Sequence, residues 1–170
     1  MSNYVSPYEA YPFLSESGLS ILCDFELKTD KLASLTGVLI SLAEESDLKN
    51  ELISVCELIY HINPALRTGL KIADEEIDYL KNRVASLSKE FGNVGFVLPI
   101  GTTAASVAHV LRVEAKEIVR LMHIGEQTDQ NVDPKIFDIV NLLSAYFFFI
   151  ALKLNKEAGI PEKAFVSRNY

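Results

Sequence analysis

The sequence contains no tryptophan, and only two cysteines and three histidines occur among its 170 residues. Cys23 and Cys56 stand far apart and form no CxxC motif, and the histidines show no metal-ligand spacing such as HExxH. We therefore expect neither a disulfide framework nor a zinc site, and we assign no metal ligand. This sparse use of cysteine fits a reducing, cytoplasmic environment.

The common signatures of nucleotide-phosphate loops and of serine hydrolases are also missing. The chain has neither GxGxxG nor GxxxxGK[ST], and no local Ser/His/Asp pattern. A catalytic triad can still be assembled in space from distant positions, which a sequence does not reveal. No motif of these types therefore indicates an activity.

Charge and hydropathy argue against two large classes of partner. The net charge of −7 disfavours nucleic acid and anionic membranes, because neither attracts the molecule as a whole. No signal peptide is visible in the first twenty residues. The apolar run Ile139–Leu154 is short for a membrane span, and Asn141, Ser144 and Lys153 interrupt it. We expect a buried helix there.

What the chain does contain is helical periodicity with start and stop signals. Thr29 or Asp30 is the expected cap of the first helix, and Asp133-Pro134 the start of the last. The pattern predicts an all-α fold, an up-and-down bundle with five main helices near residues 30–44, 47–63, 74–90, 103–123 and 134–158. We expect an irregular N-terminal arm over residues 1–23 and one bundle domain over 24–170.

A row of basic residues follows the stretch GFVLPIGTT, which begins at Gly95. Arg112, Lys116 and Arg120 are spaced four apart, so they lie on one face of the predicted helix. Such a row suits an anionic ligand such as a polyphosphate. The alternative is a solvated helix face on which Glu117 partners Arg120.

Three segments resemble the propanediol-utilisation type (PduO-type) ATP:corrinoid adenosyltransferases. Residues 96–120 are similar to that family's F-[IV]-L-P-x-G, H-x-x-R and R-R-A-E-R elements, in order and at the right intervals. Residues 30–37 resemble its D-E-L-N-S-x-x-G, and residues 141–146 its N-R-L-S-D-Y. The likeness covers about residues 24–158. The matching positions of the longest segment are Phe96, Leu98, Pro99, Gly101, His109, Arg112 and Arg120.

The resemblance implies a ferritin-like helical bundle that forms a homotrimer with active sites between subunits. There, cob(I)alamin attacks the 5′ carbon of ATP and triphosphate leaves. The resemblance places Phe96 on an apolar wall that excludes water and the nucleotide base of the corrinoid. It makes Arg112 an active-site arginine and Asp30 the acid that orients it across a subunit interface. His109, Lys116 and Arg120 would complete the binding residues for the corrinoid, ATP and magnesium.

Departures from the family pattern concentrate on the ATP side. The glycine-rich T-x-x-G-D-x-G-x-T loop has no counterpart, since the first 23 residues contain only Gly18. The R-R-A-E-R element reads K-E-I-V-R at residues 116–120, and the aspartate of N-R-L-S-D is Ala145. Three further family residues have also been replaced, by Lys31, Ala33 and Leu142.

These observations support three hypotheses of different kinds. The favoured one is a cobalamin adenosyltransferase-like protein that binds a corrinoid but transfers adenosyl weakly or not at all. The second is an active enzyme in which other residues, such as the tyrosine-rich arm, replace the ATP loop. The third is a structural trimeric bundle without a ligand, which an exposed Phe96 at a helix entrance would argue against.

Overall fold

A computed structural model describes residues 4–11, 13–15, 21–69, 71–128 and 131–168. Within these residues the secondary structure is helical, and the one β feature is an isolated antiparallel bridge between Val97 and Ala164. The predicted all-α fold is confirmed. The helices are α1 (Leu22–Leu42), α2 (Ser46–Ile62), the single turn α3 (Ala65–Thr68), α4 (Asp74–Phe91), α5 (Thr103–Glu126) and α6 (Pro134–Glu157).

Most helix starts follow the capping residues that the sequence offers. The Thr102 hydroxyl accepts a hydrogen bond from the Ala105 N–H at 3.0 Å and begins α5. The Asp133 carboxylate accepts one from the Lys135 N–H at 2.9 Å, with proline at the first position of α6. Each cap satisfies a backbone donor that the helix itself leaves free.

The predicted start of the first helix was wrong. The structure begins α1 at Leu22, about two turns before the expected cap at Thr29 or Asp30. Phe25, Thr29 and Leu32 are fully buried on one face, so tertiary packing continues the helix through the expected boundary. The Thr29 hydroxyl donates to the Phe25 carbonyl at 2.8 Å, within the helix. Asp30 is therefore a mid-helix residue.

The centre of the bundle is the pair α5 and α6, with α1 packed on α5, α4 on α6, and α2 on α1. Leu111 and Ile118 of α5 are fully buried together with Phe147 and Ile150 of α6. Among the described helices, only α6 is long and apolar enough to cross a membrane, and more than half of its apolar window is buried inside the protein. This burial accounts for the long apolar run as a core helix.

The described part of the N-terminal arm is anchored on a buried ion pair. Arg67 donates from Nε to Glu26 Oε1 at 2.7 Å, and its guanidinium lies 3.7 Å from the centre of the Phe13 ring. The Tyr11 hydroxyl also donates to Glu26. Arg67 lowers the pKa of Glu26, while burial and the Glu26 carboxylate raise the pKa of Tyr11 to about 12. Gly18, the arm's only glycine, lies outside the described residues.

Gly101, which precedes α5, has a conformation and surroundings that exclude a side chain. Its φ is +140°, and a Cβ atom there would lie 1.9 Å from Oδ1 of Asn155. We expect Gly101→Ala to destabilise the fold by about 2 to 4 kcal/mol, because the backbone is strained and a buried amide must move.

Thermal unfolding followed by circular dichroism measures this effect. Gly37→Ala is the matched control, since Gly37 lies in α1 with open space around its Cβ direction and should gain helix propensity. An unchanged melting temperature for Gly101→Ala would contradict the predicted close approach.

Candidate functional site

A cleft of about 540 Å³ opens between α5, α6 and the loop that joins α4 to α5. The loop contributes residues 93–97, including Phe96. Helix α5 contributes Arg112 and Lys116, one helical turn apart. Helix α6 contributes a face with the spacing expected of a helix, which consists of Asn141, Ser144, Ala145 and Phe148.

The aromatic ring of Phe96 stands in solvent at the edge of this cleft. Its residue is 84% exposed, which is unusual for a phenylalanine in a monomer with a well-filled core. The backbone around it is held by the C-terminal tail: Phe165 N–H donates to the Phe96 carbonyl at 2.8 Å, and Leu98 N–H to the Lys163 carbonyl at 2.9 Å. Phe96 is thus held by its backbone, and its ring is free to contact a ligand.

Arg112 and Lys116 give the cleft its positive charge. Nε of Arg112 is buried without a hydrogen-bond partner, and its guanidinium lies 5.9 Å from the centre of the Phe148 ring. The Ser144 hydroxyl donates to the Arg112 carbonyl at 3.1 Å and ties the two helices together. A buried guanidinium N–H without an acceptor favours the approach of an anion or a carboxylate from outside the chain.

The acidic residues of α5 turn away from the cleft and toward α1. Lys28 pairs with Glu117 at 2.8 Å, and Lys31 pairs with Glu114 at 2.6 Å. The alternative in which Glu117 partners Arg120 is therefore wrong. In the part of the chain that the structure describes, no carboxylate forms an ion pair with any of the three basic residues in the row. Their charge is available to a ligand.

No aspartate or glutamate lines the cleft, as far as the structure describes its walls. Ala145 stands on the α6 wall where the resembling motif has an aspartate, and Val119 is packed against the core. Magnesium prefers carboxylate and phosphate oxygens. The cleft therefore suits an anionic or apolar ligand, but its walls offer no carboxylate to a magnesium ion.

Three of the predicted site residues lie outside this cleft within one chain. His109 is buried beside Phe148, with ring centres 6.3 Å apart and neither ring nitrogen hydrogen-bonded. Burial, and secondarily the charge of Arg112, lowers the pKa of His109, so its imidazole is neutral at pH 7. Arg120 is exposed two turns beyond Arg112. Asp30 accepts a hydrogen bond from the Tyr60 hydroxyl at 3.0 Å on another side of the bundle.

The structure thus brings together Phe96, Arg112 and Lys116 from the predicted set and adds Phe148 to them. Phe148 was missed because the aromatic run at residues 146–149 is typical of a core helix. The spacing of Asn141, Ser144 and Phe148 places them on one helical face, and this was the available signal.

Comparisons with known proteins agree on one family. The family model described as cobalamin adenosyltransferase matches residues 25–154. A comparison with curated protein sequences finds no match.

Among solved structures, similar ones include three variants of the PduO-type ATP:corrinoid adenosyltransferase from Lactobacillus reuteri. A phenylalanine-to-alanine variant complexed with cobalamin and ATP is 22% identical with a TM-score of 0.78, covering 87% of each chain. A phenylalanine-to-histidine variant, also complexed with cobalamin and ATP, is 23% identical with a TM-score of 0.78, over 88% of this chain and 85% of that one. An arginine-to-lysine variant complexed with ATP is 24% identical with a TM-score of 0.75, over 85% and 86%. At these identities the likeness shows a shared fold.

Proposed function

Because the chain belongs to the cobalamin adenosyltransferase family, we propose that it binds a corrinoid in the cleft beside Phe96, at an interface between subunits. We further propose that it transfers adenosyl from ATP weakly or not at all. The observation that carries the proposal is the asymmetry of the cleft, which keeps an aromatic wall and two cations but no lining carboxylate. The cytoplasmic location expected from the sequence is part of the same proposal.

The apolar side of the cleft supports corrinoid binding. Phe96 and Phe148 face a space large enough for part of a macrocycle, and the valines of the loop extend the same surface. An exposed aromatic ring gains free energy when a ligand covers it, because apolar surface leaves water. Solved structures with the same fold are complexes with cobalamin.

The anionic side of the cleft is the part that has been reduced. Transfer of adenosyl requires a triphosphate held in line with the attacking cobalt, with its growing negative charge met by fixed donors. Arg112 and Lys116 supply positive charge, but lysine does not reproduce the two-pronged hydrogen bonding of arginine. Without a lining carboxylate, neither cation is oriented from within the chain. The geometry therefore favours binding over turnover.

Homotrimer formation is the expected quaternary structure. Helices α1 and α5, which pack side by side, expose apolar side chains that the monomer core does not cover: Leu27, Val38, Val110, Val113 and Ile124. Covering such a surface with further copies of the chain removes it from water. Light scattering should give three times the monomer mass at micromolar concentration, and a monomer mass would contradict the proposed interface.

In this trimer, the Asp30 carboxylate should lie within about 6 Å of the Arg112 guanidinium of a neighbouring subunit, the range of a strong opposite-charge effect. Within one chain the two residues form no contact, and Nε of Arg112 has no acceptor. We expect Asp30→Asn and Arg112→Gln each to lower the melting temperature of the trimer. The double variant should be no worse than either single one, since no charge is left unpaired. Strictly additive losses would argue against the pair.

Titration of the protein with cob(II)alamin, followed by absorption spectroscopy with and without ATP, tests the proposed function. A spectral change with cob(II)alamin alone is expected, because the apolar wall needs no nucleotide. Formation of adenosylcobalamin under reducing conditions would instead establish the active enzyme. Absence of any binding at high micromolar corrinoid would favour the structural bundle.

A further inference from the structure

The loop that carries Phe96, the start of α5 and the C-terminal tail meet at one buried side chain, Asn155. We propose that Asn155 is a positioning residue that fixes the Phe96 side of the cleft. The inference rests on the proposed corrinoid site, because Phe96 matters there as the wall of that site. Asn155 itself does not line the cleft and acts through the loop.

Asn155 lies near the end of α6, is 1% exposed, and uses every polar atom of its amide. Its Oδ1 accepts from the Thr102 N–H at 3.0 Å. Its Nδ2 donates to the Ile100 carbonyl at 3.0 Å and to Glu162 Oε1 at 2.9 Å. Its own carbonyl accepts from the Ile160 N–H at 2.8 Å. One residue therefore joins the loop, α5 and the tail.

The hydrogen-bonding pattern at this position requires an amide. One acceptor and two donors are needed together in a site closed to water, and among side chains of this size only asparagine supplies them. Aspartate would lack both donors and would place a second carboxylate against Glu162. The absence of a side chain at Gly101 gives the amide its space, since a Cβ atom there would overlap Oδ1.

The position of Phe96 depends on these bonds because its own side chain is not packed. At 84% exposure the ring has few contacts that could hold the loop. The loop is held at Ile100 and Thr102 by Asn155, and at Phe96 and Leu98 by the tail. The tail is in turn held by Asn155 through Glu162. Loss of the amide thus loosens both restraints on the loop at once.

A tryptophan placed at position 96 reports directly on this loop, because the natural sequence contains no tryptophan. Fluorescence anisotropy decay of Phe96→Trp should be compared with and without Asn155→Ala, Asn155→Asp and Glu162→Ala. Asn50→Ala is the matched control, an exposed asparagine in α2. Cob(II)alamin binding is measured in parallel for the same substitutions in the protein that retains Phe96.

We expect faster nanosecond motion of the tryptophan in both Asn155 variants and a smaller increase in Glu162→Ala. Cob(II)alamin should bind about tenfold more weakly to Asn155→Ala, since two or three hydrogen bonds that fix the loop are lost. Asn50→Ala should change neither quantity. A residue with only a structural role would lower the melting temperature without changing the tryptophan motion in the folded protein.

Unchanged tryptophan motion in folded Asn155→Ala would overturn the proposal. If that variant does not fold, Glu162→Ala decides: faster motion supports the proposal and unchanged motion overturns it. If the natural protein binds no cob(II)alamin, the proposed function fails, but the tryptophan measurement still decides whether Asn155 fixes the loop.

Discussion

Phe96→Ala will weaken cob(II)alamin binding by about 10- to 100-fold while leaving the fold intact. Burial of a phenylalanine side chain is worth about 1.5 to 3 kcal/mol, and each 1.4 kcal/mol changes a dissociation constant about tenfold. The fold is insensitive because the residue is 84% exposed and contributes little to the core. Absorption titration measures the binding, and circular dichroism checks the fold.

The control for this substitution is Tyr8→Ala. Tyr8 is 92% exposed in the N-terminal arm and does not line the cleft, so its removal deletes an aromatic ring of similar exposure elsewhere. Its binding constant should match that of the natural protein. Equal binding by Phe96→Ala and the natural protein would remove Phe96 from the site and with it the proposed wall.

Adenosyl transfer by the natural protein should be close to background even with saturating ATP and magnesium. Each oriented donor lost from a site that stabilises developing charge typically costs a hundredfold or more in rate. The glycine-rich loop, the arginine replaced by Lys116 and the carboxylates replaced by Val119 and Ala145 are all losses of this kind. Several such losses together leave little catalysis, whereas apolar contacts to the corrinoid persist.

Anaerobic assays with reduced cobalamin, followed by the absorption of adenosylcobalamin, measure this turnover. The Lactobacillus reuteri PduO-type enzyme, run side by side, shows that the reducing system and ATP are adequate. Many turnovers by the natural protein would mean that other groups replace the missing loop. Arg112→Ala should then abolish that activity, since Arg112 is the buried cation of the cleft.

Local chemistry explains why much of the fold was predictable. Thr102 and Asp133 begin their helices through hydrogen bonds to residues two or three positions away, so nothing distant was needed to place them. The start of α1 failed for the opposite reason. Phe25 and Thr29 are helical because distant residues bury them, and burial outweighs the capping preference of Thr29 and Asp30.

The sequence by itself determined the helical class, the family motifs and the depletion of the ATP side, because these depend on residue identity and short spacings. Only the tertiary structure decided which groups meet across long stretches of chain. It paired Glu117 with Lys28, 89 residues apart, and so left the basic row without a carboxylate partner. It also brought Asn155 to the loop before α5, 53 residues from Thr102. Such contacts have no local signature, since their partners are selected by how the helices pack.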